Sequence, residues 1–505
     1  MSSLRHIPLG HAIPNRPHAT SVSLPTLANL IGYEKKDPAV LRQMPTGYPR
    51  FVVHPFVRTL TQEFARRQGL QDRAVWLANT PLLSAQLREW MGGDARLVSE
   101  GSLAGVTFAC DSERNARAKT FLQHCGGFIS SRQAEDMLSA AGLVPAAAKE
   151  DAVAGDALGA VKRELRRAFT GACDEDIFVA ANGMNAVHAA FSAVKAVQAP
   201  RGRTVWIQLG WLYLDTIAIL QKFTPLPDND HVTVLSVHDL GALRRVLEVH
   251  RGRVAGIITE VPTNPLVQCC DVPALATLAR EHGAHLLLDA SIASPWNVDL
   301  LPYADIALAS LTKYAAAEGD LLAGAAAVNP RAGDSDALRA GLAAGISPLY
   351  RRDLARLARE IRDVDEVLAR VNAATLQVVE FLVSRPEVGR VHWAMAAESR
   401  ENFLRVARSP GAVGSMVTFE VGAGNFAPVY DRARLPKGPS FGLRNSLLCP
   451  FMYLAHYDLV TTPEGRARLA AGGINPELLR LSVGTEPVGE IIGALAETLD
   501  AVKTD

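Results

Sequence analysis

Net charge, Cys-x-x-Cys pairs and long apolar runs are all missing from this chain of 505 residues. Its 52 basic and 52 acidic side chains cancel. Without a one-signed field there is no pull toward nucleic acid or an anionic membrane, and a small molecule or another protein is the expected partner. The six cysteines are scattered, and the adjacent Cys269-Cys270 pair is too constrained for an ordinary disulfide, so all six read as reduced thiols. The N-terminal residues lack an apolar signal core and no stretch of about 18 apolar residues follows. No membrane contact is therefore expected, and the cytoplasm is the expected address. GxxxxGKS/T and HExxH are also missing, which removes the P-loop and zincin readings.

Metal ligation fails on geometry. His282, His285 and Asp289 are close in sequence, but His282 falls at a helix end while His285 and Asp289 share one strand face. Four residues at roughly 3.3 Å each put these last two about 13 Å apart, too far for one ion.

What the chain does have is hydrophobic substance, 48% of its residues, enough for two or three packed domains. Residues 1–55 are rich in Pro, His and Gly with little periodicity and read as an extended arm that contacts a neighbouring subunit. Residues 56–155 read as a mixed, mainly helical accessory layer; Phe56, Leu60 and Phe64 recur at helical spacing. From 156 to 330, apolar runs at 177–180, 205–207, 232–235, 257–258, 286–288 and 306–308 alternate with helical stretches. This predicts a large α/β domain with a mostly parallel sheet. Helices are predicted over 184–197 and 272–281. Residues 331–505 read as a smaller α+β domain: a long helix over 354–382, then strands at 416–421 and 478–483.

In open α/β sheets, ligands sit at the carboxyl ends of the strands. Gly183 and Met184 follow the first run and open a helix whose free N–H groups suit a phosphate, although Asn182-Gly183 would also serve as a plain cap. Pro262 and Pro265 hold the Asn264 amide in a fixed direction, suited to a phenolate oxygen or to an ordinary Asx-turn. Asp289 ends its strand and would keep a pyridine nitrogen protonated, or pair an arginine. Lys313, in Ser310-Leu311-Thr312-Lys313-Tyr314, follows the last run with two hydroxyls beside it. An isolated lysine is ordinarily a surface residue. Here four strand ends in order supply what one phosphorylated aldehyde cofactor needs, with burial lowering the amine's pKa.

In this order the residues resemble the cystathionine γ-synthase-like family of pyridoxal-phosphate enzymes of Cys and Met metabolism, and most of all its longer, fungal-type branch. The matching segments are Asn182-Gly183-Met184, Tyr213-Leu214-Asp215-Thr216, Pro262-Thr263-Asn264-Pro265, Asp289, Ser310 to Tyr314, and Arg480-Leu481-Ser482-Val483-Gly484. They cover about residues 160 to 500. The resemblance implies an aspartate-aminotransferase type of fold, with a mostly parallel seven-stranded sheet between helices and a smaller C-terminal domain. It implies Lys313 as the imine lysine, Asp289 as partner of the pyridine nitrogen, and Asn264 as donor to the ring oxygen. Gly183, Met184, Ser310 and Thr312 would hold the phosphate. Arg480, assisted by Ser440, would clamp the substrate carboxylate. Tyr48 and Arg50, in Gly47-Tyr48-Pro49-Arg50-Phe51, would reach a neighbour's phosphate, and a homodimer or homotetramer with shared sites is expected.

Two segments depart from the family pattern. Tyr213, expected to stack on the cofactor and assist proton transfer, is followed by Leu214-Asp215 in place of two glycines, which leaves Trp211 as a second candidate for stacking. After the lysine, Glu318-Gly319-Asp320 stands where His-Ser-Asp is usual. The resemblance implies γ-replacement on an activated homoserine such as an O-acyl-homoserine, through a vinylglycine-like intermediate. The alternatives are a γ- or β-lyase releasing a 2-oxo acid, a specialised C–C or C–S bond-forming enzyme, and a binding protein that keeps the fold without turnover.

Overall fold

The computed structural model describes residues 4–49, 51–153 and 155–502. Its N-terminal arm carries a short antiparallel bridge of β1 (Ala12–Ile13) and β2 (Ser21–Val22). The arm lies along its own chain. Arg16 pairs with Glu318 at 2.7 Å and Asp320 at 3.1 Å, and the Thr20 N–H donates to the Gly319 carbonyl at 2.8 Å. Further on, the Leu24 N–H donates to the Lys437 carbonyl at 2.9 Å, and the Lys437 ammonium donates to the Pro25 carbonyl at 3.0 Å. The Glu318-Gly319-Asp320 departure thus has a structural use: it is where the arm docks.

The accessory region holds more strand than its helical periodicity predicts. β3 (Arg73–Ala78), β4 (Arg96–Glu100) and β5 (Leu103–Ala109) form an antiparallel sheet in the order β3-β5-β4, packed against helices Pro55–Arg67, Pro81–Met91, Ser112–Cys125 and Ser131–Ala140. A half-exposed strand such as β4 carries too few apolar residues to signal its period. The Ser112–Cys125 helix starts on the Asp111 side chain, which accepts from the Arg114 N–H, and stops at Gly126 with φ 65, a left-handed ending that favours glycine.

The large domain is a seven-stranded sheet. Its strands are β6 (Ile177–Ala180), β7 (Val205–Leu209), β8 (His231–Val234), β9 (Val254–Glu260), β10 (His285–Asp289), β11 (Ile306–Ser310) and β12 (Gly324–Val328), in the spatial order β6-β12-β11-β10-β9-β7-β8. β8, β7, β9, β10 and β11 pair in parallel, and β12 runs antiparallel to both of its neighbours. Every residue of β7 and of β9 is buried, as expected when helices cover both faces. β12, Gly-Ala-Ala-Ala-Val, is absent from the predicted strands because alanine runs carry little strand signal. Its smallness matters: a Cβ on Gly324 would lie 2.7 Å from the Gly183 nitrogen, so only glycine lets the turn after β6 rest on this strand.

The small domain pairs β13 (Val388–His392), β14 (Met416–Val421), β15 (Leu447–Cys449) and β16 (Leu479–Ser482) antiparallel in the order β13-β14-β16-β15. The single helix expected over 354–382 is two helices, Arg351–Glu360 and Val364–Val383, joined by a 3₁₀ turn at Ile361–Asp363. No described helix is long and apolar enough to cross a membrane.

Candidate active site

The polar residues that end the central strands open onto one cavity of about 410 Å³. Gly183, Met184, Asn264, Asp289, Ser310, Thr312 and Lys313 all line it, and so do Tyr48 from the arm, Tyr213 after β7, and Ser440 and Arg480 from the small domain. Eleven of the twelve expected residues are thereby brought together. The twelfth, Arg50, lies outside the described residues.

Lys313 is buried. Its Nζ donates to the Ser440 Oγ at 2.6 Å and stands 4.8 Å from the Phe441 ring and 5.2 Å from the Tyr48 ring. The loops that carry Lys313 and Ser440 interlock: the Tyr314 N–H donates to the Gly442 carbonyl at 2.7 Å, and the Tyr314 hydroxyl donates to the Ile292 carbonyl at 2.6 Å. Burial pushes that phenol up to about 12, so it remains a donor. Both Ser440 (φ 87) and Tyr314 (φ 57) take left-handed backbone conformations, a strain that surrounding contacts must hold in place.

Arg480 sits on β16, buried between Phe451 (4.4 Å) and Phe441 (5.7 Å). One guanidinium nitrogen donates to Asn264 Oδ1 at 3.2 Å and the other to the Ser440 carbonyl at 3.1 Å. Burial pulls it below the ordinary arginine value, yet a guanidinium starts so high that it keeps its charge. Because Asn264 spends its oxygen on Arg480, its amide N–H₂ is the end left to address a ligand.

Asp289 accepts from the Ser291 N–H at 2.8 Å. Directly beside it in register on β9 is Glu260, whose Oε1 accepts from the Tyr213 N–H at 2.5 Å. Burial pushes both carboxyls above the ordinary range, and for Glu260 the charge of Asp289 adds to the rise. Sequence reasoning assigned Glu260 no role. Its signal was its place as last residue of β9, directly before the Asn264 loop.

At the other end, the Gly183–Gln198 helix begins with Asn182, whose side chain caps the Asn185 N–H at 3.0 Å. The Gly183 and Met184 N–H groups are left at the positive end of the helix, an anion site in outline. A Cβ on Gly183 would come within 3.1 Å of the Ser310 Cβ, so the glycine keeps this cradle open. Thr312 is engaged with the backbone: its Oγ1 donates to the Ala323 carbonyl at 3.3 Å and accepts from the Ala323 N–H at 3.0 Å.

The choice between aromatics is structural. Tyr213 lines the cavity, whereas Trp211 packs into a separate cluster with Val460 and Leu469 and donates its indole N–H to His456 Nε2 at 3.2 Å. Asp215 is fully buried and accepts from Gln123 Nε2 at 2.8 Å. Lys119 and Gln123, both on the accessory helix Ser112–Cys125, line the same cavity; only tertiary packing brings them there, and the sequence reading missed both.

Comparison with known proteins agrees with this geometry. A family described as Cys/Met metabolism PLP-dependent enzymes matches residues 167–500. The chain is 40% identical, over 94% of its own length and 94% of the relative's, to an L-2-amino-4-chloropent-4-enoate dechlorinase/desaturase of Streptantibioticus cattleyicolor. It is 25% identical to a cystathionine γ-synthase of Neurospora crassa over 97% of this chain and 98% of that one. Among solved structures, the cystathionine γ-synthase of Xanthomonas oryzae pv. oryzae in complex with cystathionine superposes with a TM-score of 0.56 at 23% identity, covering 65% of this chain and 82% of that one, a likeness of fold.

Proposed function

This chain belongs to the pyridoxal-phosphate-dependent enzymes of Cys/Met metabolism, and from that premise we propose that it expels a leaving group from the γ carbon of an L-2-amino acid. The supporting observation is the meeting of Lys313, Asp289 and Arg480 in one cavity. The donor set fits the cofactor: a carboxylate at one end, a glycine-lined helix start at the other, and an amine between.

When bound, pyridoxal phosphate draws electrons from the substrate's α carbon, so that hydrogens on the α and then the β carbon become acidic. Gly183, Met184 and Ser310 would hold the phosphate, Asp289 the ring-nitrogen proton, Asn264 the ring oxygen, and Tyr213 one ring face. Arg480 would grip the substrate carboxylate through its planar pair of donors, with Asn264 and Ser440 fixing its angle. Lys313 Nζ would take the α proton and carry protons to later carbons, and Ser440 would steady it. Tyr48, Phe441 and Phe451 would keep water from that amine. The γ bond then breaks with both electrons leaving on the departing group.

A thiol nucleophile entering next would give γ-replacement, the outcome expected for an activated homoserine. A second reading, elimination without a nucleophile, is favoured by the 40% identical relative, whose name describes dechlorination and desaturation. O-acetyl-homoserine with and without cysteine, and 2-amino-4-chloropent-4-enoate alone, separate the two. A cysteine-dependent thioether supports replacement, and cysteine-independent release of the leaving group supports elimination. No loss of any γ leaving group, from protein with bound cofactor, overturns the proposal.

A homodimer or homotetramer completes the proposal; because Tyr48 lines the cavity of its own chain, the sharing of sites would rest on Arg50. In a verified mixed dimer of Arg50→Ala and Lys313→Ala chains, recovered activity supports sharing and no recovery counts against it.

A further inference from the structure

The accessory unit touches the site at two separate places through one helix, Ser112–Cys125. At its C-terminal end, the Gly126 carbonyl accepts from Asn182 Nδ2 at 2.9 Å, and the Cys125 carbonyl accepts from Asn185 Nδ2 at 3.4 Å. Asn182 and Asn185 are the two residues whose mutual hydrogen bond shapes the helix start at Gly183. The approach is close enough that a Cβ on Gly126 would strike Asn182 Oδ1 and lie 2.5 Å from the Asn185 nitrogen. Less than one turn earlier, Gln123 Nε2 donates to Asp215 at 2.8 Å, with His124 Nε2 at 3.6 Å from the same carboxylate. Asp215 lies in the first turn of the Leu214–Phe223 helix, two residues after Tyr213, where a negative charge also complements the helix dipole.

The geometry points to the Ser112–Cys125 helix as a strut that positions both cofactor-binding turns of the large domain, the phosphate turn at Gly183 and the ring-covering turn at Tyr213. Gln123, Gly126 and Asp215 are its positioning residues. This gives the departure at Leu214-Asp215 a purpose: where two glycines would leave the Tyr213 turn to set its own shape, Asp215 hands that shape to the accessory helix. It also gives the accessory unit a task beyond packing, since a turn held before the cofactor arrives spares the entropy of ordering it on binding.

The inference rests on the cofactor assignment, and the experiment separates the two. Apo-protein is titrated with pyridoxal phosphate by absorbance, and its melting temperature is measured without cofactor. Wild-type binding establishes the cofactor reading first. Gln123→Ala and Gly126→Ala are then expected to raise the cofactor Kd about tenfold or more, the loss of one or two buried hydrogen bonds. Gln123→Lys, which can still donate to Asp215, is expected to recover most of the affinity. The control is Asp94→Asn, which weakens the same unit near the far end of the helix, where Asp94 holds Arg73, Arg114 and the Ala109 N–H. It should lower the apo melting temperature and leave Kd unchanged. If Gln123→Ala and Gly126→Ala bind cofactor within twofold of wild type, or Asp94→Asn raises Kd as much as they do, the strut is refuted.

Discussion

Lys313 Nζ and Ser440 Oγ lie 2.6 Å apart, a hydrogen bond that ties the lysine loop of the large domain to a strained turn of the small one. Ser440→Ala removes the acceptor while leaving its backbone carbonyl for Arg480. The cofactor should still bind, and kcat/KM should fall roughly tenfold, as for one charge-assisted hydrogen bond. Steady-state kinetics beside the cofactor absorbance of the same sample read both halves.

Gly183→Ala places a methyl group 3.1 Å from the Ser310 Cβ, where one side must give way. Cofactor affinity should drop while the apo-protein keeps its melting temperature to within a few degrees. Equilibrium dialysis against pyridoxal phosphate checks this, and unchanged affinity would exclude the cradle.

Lys313→Ala should remove the visible absorption that covalent attachment of the cofactor to a lysine produces, and cut turnover by on the order of 10³ or more. Retention of that band would locate the attachment elsewhere.

Glu260 is a buried carboxyl raised well above its ordinary value by desolvation and by Asp289. A raised folded-state pKa means that the unfolded chain gives up its proton first. Relative to acid conditions, the folded state is therefore penalised as pH rises above about 4.5. Glu260→Gln keeps an acceptor for the Tyr213 N–H and should stabilise the apo-protein at pH 8 by on the order of 1 kcal/mol, with the gain gone near pH 4. Denaturant midpoints at the two pH values decide it.

His456 is pushed down to about 4, chiefly by burial, and its Nε2 accepts the Trp211 indole proton, which requires the neutral ring. Its contribution to stability is whole above 6.5 and is lost as pH falls from 6.5 toward 4, because only the unfolded chain binds the proton in that window. Wild type should lose on the order of 2 kcal/mol more than His456→Gln between pH 7 and pH 4. Parallel unfolding curves would show no such role.

Much of the site is readable in the sequence because the strands of a covered parallel sheet are nearly all apolar. A lone Asp289 or Ser310 closing such a run stands out, as does Asn264 between two prolines. Ser440 and Tyr48 follow no such run and become visible only through the family resemblance. Glu260 ends its strand just as Asp289 does, yet its role depends on a partner 29 residues away on the next strand. Gln123 and Lys119 belong to a polar helix surface that no local pattern distinguishes from a solvated one. β12 escapes because its alanines carry little strand signal, while its first residue, Gly324, is the one that the Gly183 turn needs small. The two departures, Asp215 and Glu318-Gly319-Asp320, look like losses beside the family motif. In the fold they are anchor points, one for the accessory helix and one for the arm.

The arm is fastened to the large domain at Thr20–Gly319 and to the small domain at Leu24–Lys437, with only four residue steps between the two points. Ser21 and Val22 already run extended there, and an extended chain offers no more than about 3.3–3.6 Å per residue. Four such steps reach at most about 14 Å, which bounds how far Thr20 and Leu24, and with them their partners Gly319 and Lys437, can move apart while both hydrogen bonds hold. Any rotation that separates the walls bearing Lys313 and Arg480 is therefore coupled to the arm: beyond that reach, one of the two fastenings has to release.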